Sequence, residues 1–294
     1  MAVRKFWLIN GNGKKFDLTD FKDGFFNSPS GLGFTATVTL TRLGNAQKLN
    51  SITDDLNNIS GELLLKNNDD NALAYDAYTE FIKFSSVLPL FLHYQTPAMS
   101  NYSFYREIVL SSIEKGEVDY ETNMLRCNVV FTPLTMWRNN SLTTVVATAK
   151  KNTGKKYSLN RPYAYASAGY ENITLNNNSP STDPLIIEIE GACSNPAFSL
   201  YDQNGDVYGI CRINGEFDYV YINSDDLEEE IKLSKDGAWL NNAVNYQDFS
   251  FSMPNKAYLT FCYLRPGKSG MKFTFADEFD GKISVSWRDE YASV

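Results

Sequence analysis

The feature that most constrains the fold is the division of the N-terminal part into short apolar runs by turn-forming residues. Residues 6–9 are apolar and end at Asn10-Gly11-Asn12-Gly13, and Asn-Gly is a strong hairpin signal because both residues tolerate positive φ. A second turn-forming cluster occupies residues 28–33, and residues 34–40 then alternate between apolar and threonine side chains. Alternation with a period of two indicates a half-buried β-strand. The chain is therefore predicted to begin with β-strands.

One helix is predicted in the first half, over residues 72–86. Its apolar side chains recur at intervals of three and four residues, which is the spacing of one helical face. Asn and Asp residues at 67–71 can cap its N-terminus, and Pro89 follows its C-terminal end. Residues 44–58 are polar and are predicted to be a loop. Further strands are predicted at residues 59–65, 88–94, 103–114 and 125–134, with a bulge at Gly116.

Turn residues divide the second half at short, regular intervals, as in an antiparallel β-sandwich. Residues 143–178 are rich in Asn, Lys and Ser and lack amphipathic periodicity, so the domain junction is placed near residue 145. The predicted fold class is mainly β. An N-terminal β domain with one helix covers residues 1–145, and a C-terminal antiparallel β-sandwich covers residues 146–294 and begins with a basic linker at about 146–178.

Composition supports a folded β protein and argues against nucleic-acid binding. Of the 294 residues, 43% are hydrophobic and 14% aromatic, which is enough apolar surface for a core. The formal net charge is −8, whereas nucleic-acid binding requires clustered Lys and Arg. One segment without acidic residues, 144–170, carries Lys150, Lys151, Lys155, Lys156 and Arg161. A solvated basic linker is favoured there over a polyanion site.

The residues needed for common catalytic and metal sites are scarce, so no catalytic, cofactor or metal residue is predicted. The four cysteines, at 127, 193, 211 and 262, include no CxxC pair, so they are expected to be reduced and buried. His93 is the only histidine and lies in an apolar run, where a structural role is favoured over that of a general base. No G-x-S-x-G motif or phosphate-binding loop is present.

Two acidic stretches have a structural and a functional interpretation. Residues 202–206 superficially resemble a calcium loop, but the glycine comes one position early, and a type I′ hairpin turn is the simpler interpretation. Residues 225–230 contain five carboxylates; paired carboxylates can hydrolyse glycosides, yet a solvated loop is favoured. Aromatic side chains in the second half offer a further alternative, a sugar-binding surface. They are Trp239, Tyr246, Tyr258, Tyr263 and Trp287.

The N-terminus has no signal-peptide pattern, and no run of 18 apolar residues occurs. A protein made in a cytoplasm, without a membrane segment, is therefore expected.

Several short motifs together resemble the distal tail protein of siphophages that infect Gram-positive bacteria. In order, they are Leu8-Ile9-Asn10, Phe16-Asp17-Leu18, Asn27-Ser28-Pro29-Ser30-Gly31-Leu32-Gly33, Ile59-Ser60-Gly61-Glu62, the helix around Tyr78 and Phe81, Arg106 with Leu110, and Phe131-Thr132-Pro133-Leu134-Thr135 with Trp137. The second half matches more weakly, through Ile187, Ile189 and Gly191, then Asn195-Pro196, then Val285 and Trp287.

The resemblance implies an N-terminal β-sandwich that closes into a homo-hexameric ring and a C-terminal galectin-like sandwich. It implies a place at the distal end of the phage tail in the virion, after assembly in the bacterial cytoplasm. The implied partners are the major tail tube protein, a tail-tip hub or tail-associated lysin, and receptor-binding proteins. DNA would contact the protein at most transiently, in the ring lumen. A galectin-type sugar site is not implied, because those sites use a histidine that this second half lacks.

The favoured function is therefore structural and non-enzymatic: a ring that connects the tail tube to the baseplate and its host-recognition apparatus. The first alternative is a carbohydrate-binding adhesion module at the host cell surface, and the second is a cell-wall glycosidase. A closed ring requires heterologous contacts between subunits. The exposed edge strands and the turn-forming cluster are predicted to supply them, through Ser28, Pro29, Gly31, Leu32 and Gly33.

Overall fold

The structure is a computed structural model that describes residues 4–19, 23–66, 71–99, 102–119, 121–149, 170–225, 227–239, 249–252, 262–276 and 279–294. Within these residues the protein is mainly β with one helix, which confirms the predicted fold class. The chain divides into two compact units, one made of Met1–Ser141 with Glu290–Val294 and the other of Leu142–Asp289. The predicted roles of the two halves stay predictions.

The first unit is built on one nine-stranded antiparallel sheet in which strand order follows β2-β1-β7-β8-β9-β6-β3, with β10 paired to β8 and β24. Its elements are β1 (Lys5–Ile9), β2 (Lys15–Asp17), β3 (Phe25–Ser30), β4 (Ala36–Leu43), β5 (Ala46–Asp54), β6 (Ile59–Lys66), α1 (Asn71–Ser85), β7 (Leu90–Gln95), β8 (Phe104–Asp119), β9 (Met124–Pro133), β10 (Trp137–Asn139) and β24 (Glu290–Tyr291). Strands β4 and β5 pair only with each other.

The nine-stranded sheet curves until its two ends meet over a shared core. Phe6 on β1 and Phe26 on β3 lie near opposite ends of the strand order, yet their ring centroids are 5.7 Å apart. The backbone of Leu18 links the same strands, because its N–H donates to Phe6 O and its carbonyl accepts from Phe26 N–H. Helix α1 lies against β6, β8 and β9 and inserts the fully buried Phe81 into this core. The predicted helix is confirmed, with both its start and its end one residue earlier than predicted.

The second unit consists of two antiparallel sheets, in the order β11-β23-β14-β17-β18-β19 and β12-β22-β15-β16-β20, together with the short pair β13-β21. Its elements are β11 (Thr143–Ala149), β12 (Tyr170–Asn177), β13 (Asp183–Pro184), β14 (Ile186–Ser194), β15 (Ala197–Tyr201), β16 (Val207–Ile213), β17 (Glu216–Asn223), β18 (Glu230–Lys235), β19 (Ala238–Trp239), β20 (Phe249–Ser252), β21 (Tyr263–Leu264), β22 (Gly267–Thr274) and β23 (Gly281–Trp287). Alternate residues of both sheets, among them Ile187, Val220, Phe198 and Phe273, form one buried core. This is the face-to-face packing of a sandwich.

The local structure agrees with the sequence-based expectation at Gly116 and differs from it at residues 44–58. The bulge predicted at Gly116 is confirmed, since the β8–β9 register shifts between Lys115 and Val118. The loop predicted at 44–58 is wrong over most of its length, because residues 46–54 form β5. Strands β11 and β12 occupy the two ends of the predicted linker, and its middle, with Lys150, Lys151, Lys155, Lys156 and Arg161, lies outside the described residues.

The last residues of the chain return to the first unit. Strand β24 pairs with β10, so that Arg138 lies opposite Glu290. Their side chains form an ion pair with Nε 2.7 Å from Oε1, and only 12% and 11% of the two side chains are exposed. The second unit is therefore inserted into the sequence of the first.

Candidate assembly surface

The hairpin formed by β4 and β5 projects from the connection between β3 and β6. Strands β3 and β6 already pair with each other, so the hairpin adds no strand to the nine-stranded sheet. A two-residue turn at Gly44 and Asn45 connects its strands, and Gly44 has φ +62°, which suits the first central position of such a turn. Eight residues of extended chain give the hairpin a length of roughly 26 Å.

One face of this hairpin is apolar and the other is polar. Val38 pairs with Ile52 and Leu40 pairs with Leu49 on the apolar face. These four side chains remain 46–57% exposed. The opposite face is rich in hydroxyl groups, including the directly paired Thr39 and Ser51. Phe34, Leu43 and Leu56 add exposed apolar area nearby, at 60%, 58% and 42%.

Seven of the fourteen large hydrophobic side chains that are exposed among the described residues belong to this short segment, 34–56. An isolated two-stranded hairpin is marginally stable in water at best, and clustered exposed apolar area marks protein interaction surfaces. An exposed apolar face of this kind suits docking against another protein surface. We name residues 34–56 the arm, and it is the candidate assembly surface.

The structure places the predicted interface residues at the base of the arm. Ser28 and Pro29 lie in a bulge between β3 and β6, where Ser28 is exposed and has φ +48°. Leu32 instead packs against the core of the first unit. Gly31, with φ +82°, and Gly33, which is exposed, flank it. The role of these five residues in assembly stays a prediction.

Replacing Gly31 by alanine is expected to destabilise the first unit by about 1 kcal/mol or more, because a side chain there needs a left-handed backbone and meets another chain segment. A Cβ atom at Gly31 would lie 2.0 Å from the carbonyl oxygen of Asn58. Gly33→Ala is the matched control, since nothing lies within 4 Å of its Cβ position. Urea unfolding of the two variants checks this, and equal midpoints would contradict it.

The single histidine has a structural environment. The His93 ring stacks between Trp7 and Tyr105, with centroid distances of 5.0 Å and 5.6 Å. Burial, and then the charge of Lys15, lower the pKa of His93 to about 4. Its buried Nδ1 has no hydrogen-bond partner among the described residues. A neutral, stacked imidazole of this pKa is a poor general base at neutral pH.

Acid is expected to weaken the protein partly through His93. The unfolded chain binds a proton near the ordinary pKa of about 6.5, whereas the folded chain binds it only near pH 4. Stability is therefore lost as pH falls through this window, by at most about 1.4 kcal/mol per pH unit. His93→Phe keeps the stack and should flatten the pH dependence of the unfolding free energy between pH 7 and pH 4. An unchanged pH dependence in this variant would refute the assignment.

The remaining candidates for chemistry form no recognisable centre. At residues 202–206, Asp202 Oδ1 accepts hydrogen bonds from the amides of Asn204 and Asp206, at 2.8 and 2.9 Å. This is a five-residue hairpin loop in which only Gly205 has positive φ, so the predicted two-residue type I′ turn is wrong. Carboxylates at 225 and 228–230 lie in and after an exposed turn. No group of three or more His, Cys, Asp or Glu in the described ranges could hold a metal ion.

All four cysteines are buried and unbonded, as predicted. Burial raises the pKa of the Cys193 thiol, with a further contribution from Asp218, to about 12. A thiol with so high a pKa is a poor nucleophile.

The aromatic residues proposed for sugar binding have different environments. Trp287 is 2% exposed and belongs to the core, and Tyr263 packs against that core. Tyr246 and Tyr258 lie outside the described residues. Trp239 is 56% exposed and is the one member of the set seen on the surface of the described part of the chain.

Helices that are long and apolar enough to span a bilayer are absent from the described parts of the chain.

The fold is similar to solved phage baseplate proteins. A chain of the phage P2 baseplate in its activated conformation with calcium has a TM-score of 0.59 and 17% identity, covering 99% of this chain and 100% of that one. The same baseplate with strontium gives 0.60 and 17%, covering 100% of both chains. The SPP1 Dit protein, described as a paradigm of the hub adsorption apparatus in phages infecting Gram-positive bacteria, gives 0.60 and 9%, covering 97% and 98%. The TM-scores over nearly the full length of these chains establish a shared fold.

A comparison with curated proteins yields no match. The family model for the N-terminal domain of the distal tail protein matches residues 5–134. That segment contains the curved sheet as far as β9, the helix and the arm. Residues 5–134 therefore match the N-terminal domain of the distal tail protein family.

Proposed function

We propose that the protein forms a homo-hexameric ring at the distal end of the tail, connecting the tail tube to the baseplate and its host-recognition apparatus. The observation that carries this proposal is the exposed apolar face of the arm. In the ring, the arm of each subunit lies on the next subunit, so every contact joins two different surfaces. Such heterologous contacts close into a ring when the rotation between neighbours divides a full turn.

A second copy of this chain is the best-supported occupant of the arm for two reasons. The arm is dispensable for completing the nine-stranded sheet, so its apolar face is not explained by the fold of one subunit. The three solved structures that share the fold come from the phage P2 baseplate and from a hub adsorption apparatus, which are assemblies. Covering the arm removes the exposure of Val38, Leu40, Leu49 and Ile52 in every subunit.

The ring would have further partners in the tail. Its two openings would receive the major tail tube protein on one side and a tail-tip hub or tail-associated lysin on the other, with receptor-binding proteins around it. DNA would pass through the lumen only during ejection. The protein would be made in the bacterial cytoplasm and would act as a scaffold without enzymatic activity.

The mass of the purified chain in solution tests the ring directly. Six chains of 33.2 kDa weigh about 199 kDa, a mass that light scattering separates from those of monomers and dimers. Imaging of the same sample should show closed particles with six-fold symmetry. A mass of one chain at every accessible concentration, also after addition of the tail tube protein, would refute the proposal.

A further inference from the structure

One face of the six-stranded sheet in the second unit packs on the core. The opposite face carries aromatic and charged side chains. The register of four adjacent strand pairs aligns one row across β23, β14, β17, β18 and β19. This row consists of Lys282, Glu190, Tyr219, Ser234 and Trp239. Two residues further along the strands, and so on the same face, lies a second row. It consists of Ser284, Glu188, Tyr221 and Lys232.

Trp239 lies at the edge of the first row. Its ring meets the ring of Tyr219 edge to face, with centroids 5.5 Å apart and planes at 88°. The side chain is 56% exposed, whereas Trp137 and Trp287 are 0% and 2% exposed. A single exposed aromatic residue is ordinary. Trp239 differs from an ordinary exposed aromatic residue because the polar groups on the same face are held by hydrogen bonds.

Contacts within the face hold its polar groups in place. The Tyr219 hydroxyl donates to Glu188 Oε1 at 3.1 Å, and Lys282 Nζ donates to Glu190 Oε1 at 3.1 Å. Burial, and then the charge of Glu188, raise the pKa of Tyr219 to about 12, so its hydroxyl remains a donor. A carboxylate has lone pairs for several hydrogen bonds, so both glutamates can accept more donors.

We propose that this face, with Trp239 as its stacking platform and Glu188 and Glu190 as hydrogen-bond acceptors, binds a neutral saccharide. Sugars combine apolar C–H faces with many hydroxyl donors, and an exposed aromatic ring on the same sheet face as fixed carboxylates complements both features. Because β18 and β17 lie between β19 and β14, Trp239 and Glu190 are roughly 14 Å apart across the sheet, so the ligand that reaches both is an oligosaccharide. The two rows carry two acidic side chains, Glu188 and Glu190, and two basic ones, Lys232 and Lys282. This balance of charges disfavours an anionic polymer and favours an uncharged ligand. The site is independent of ring formation, since all of these residues belong to the second unit.

Tryptophan fluorescence of the full chain tests the proposal, because Trp239 is exposed whereas Trp137 and Trp287 are buried. The probes are glucose, galactose, rhamnose, N-acetylglucosamine and their short oligomers, followed by a microarray of neutral glycans. At least one probe is expected to protect tryptophan emission from quenching by acrylamide. Titration calorimetry then measures its affinity for each variant.

Trp239→Ala should abolish the protection and lower the affinity by about tenfold or more. Glu188→Gln should weaken binding with the fold intact. Tyr102→Ala, which removes an aromatic residue of 39% exposure from the first unit, should leave affinity unchanged. All three variants should keep the wild-type assembly mass, which separates this site from the ring. Absence of binding to every neutral probe, equal affinity of Trp239→Ala and wild type, or binding only to anionic glycans or polypeptides would overturn the proposal.

Discussion

Replacing both Leu40 and Leu49 by glutamate is expected to abolish ring assembly while leaving the subunit folded. The two residues are directly paired on the apolar face of the arm and are 46% and 51% exposed. About half of each leucine side chain is exposed in the single subunit, so burying the pair contributes about 2 to 3 kcal/mol to each contact between subunits. Loss of this free energy weakens each contact by roughly thirtyfold to a hundredfold. Because a ring contains several such contacts, the effects accumulate.

The control changes the opposite face of the same hairpin. Thr39→Glu with Ser51→Glu also replaces a directly paired couple and adds the same charge, so the repulsion between paired carboxylates is matched. Light scattering should show the large particle for this control and the single chain for the Leu40 and Leu49 variant. Circular dichroism should show both folded. Equal assembly of the two double variants would exclude the apolar face as the contact.

Trp137→Ala is expected to cost about 3 to 5 kcal/mol of unfolding free energy, as for other buried Trp truncations. The side chain is 0% exposed, and the guanidinium of Arg106 lies 5.1 Å from its ring centroid. Arg106 is also buried and donates two hydrogen bonds to Thr135 O, at 3.0 and 2.7 Å. Burial lowers the pKa of Arg106 to about 10. Truncating the ring therefore opens a cavity beside a buried cation.

Trp239→Ala provides the comparison, because it removes the same side chain from the surface. We expect it to change the unfolding free energy by less than about 0.5 kcal/mol. Urea unfolding monitored by circular dichroism avoids dependence on tryptophan emission. Similar losses in the two variants would show that burial is not what distinguishes these residues.

The arm shows where sequence reasoning succeeds and where it stops. Alternation over residues 34–40 predicts β4 because this strand is regular. Strand β5 was missed because its apolar residues Leu49 and Ile52 are three apart, which breaks a period of two. The β4–β5 register shifts between Thr39 and Leu40, so one extra residue at Asn50 returns both side chains to the same face. A bulge of this kind depends on the partner strand and leaves no periodic signal.

The exposure of the apolar face of the arm could not be predicted from the local sequence pattern either. A period of two shows that one face of a strand is apolar, but not which surface covers it. The predicted Ser28–Gly33 cluster lies at the base of the arm. The sequence thus indicated the neighbourhood of the candidate surface, while its apolar residues lie further along the chain. Leu32 was among the predicted interface residues and instead packs against the core of the first unit.

The pairing between Arg138 and Glu290 joins residues separated by 152 positions, and no local pattern indicates it. It has a temporal consequence. At synthesis rates of about 5 to 20 residues per second, roughly 8 to 30 seconds pass between the emergence of β10 and that of β24. During this interval β10 lacks one of its two neighbouring strands, and the whole second unit is made. The first unit therefore begins to fold early but completes its sheet only after its neighbour in sequence has been synthesised, so newly made subunits become complete late.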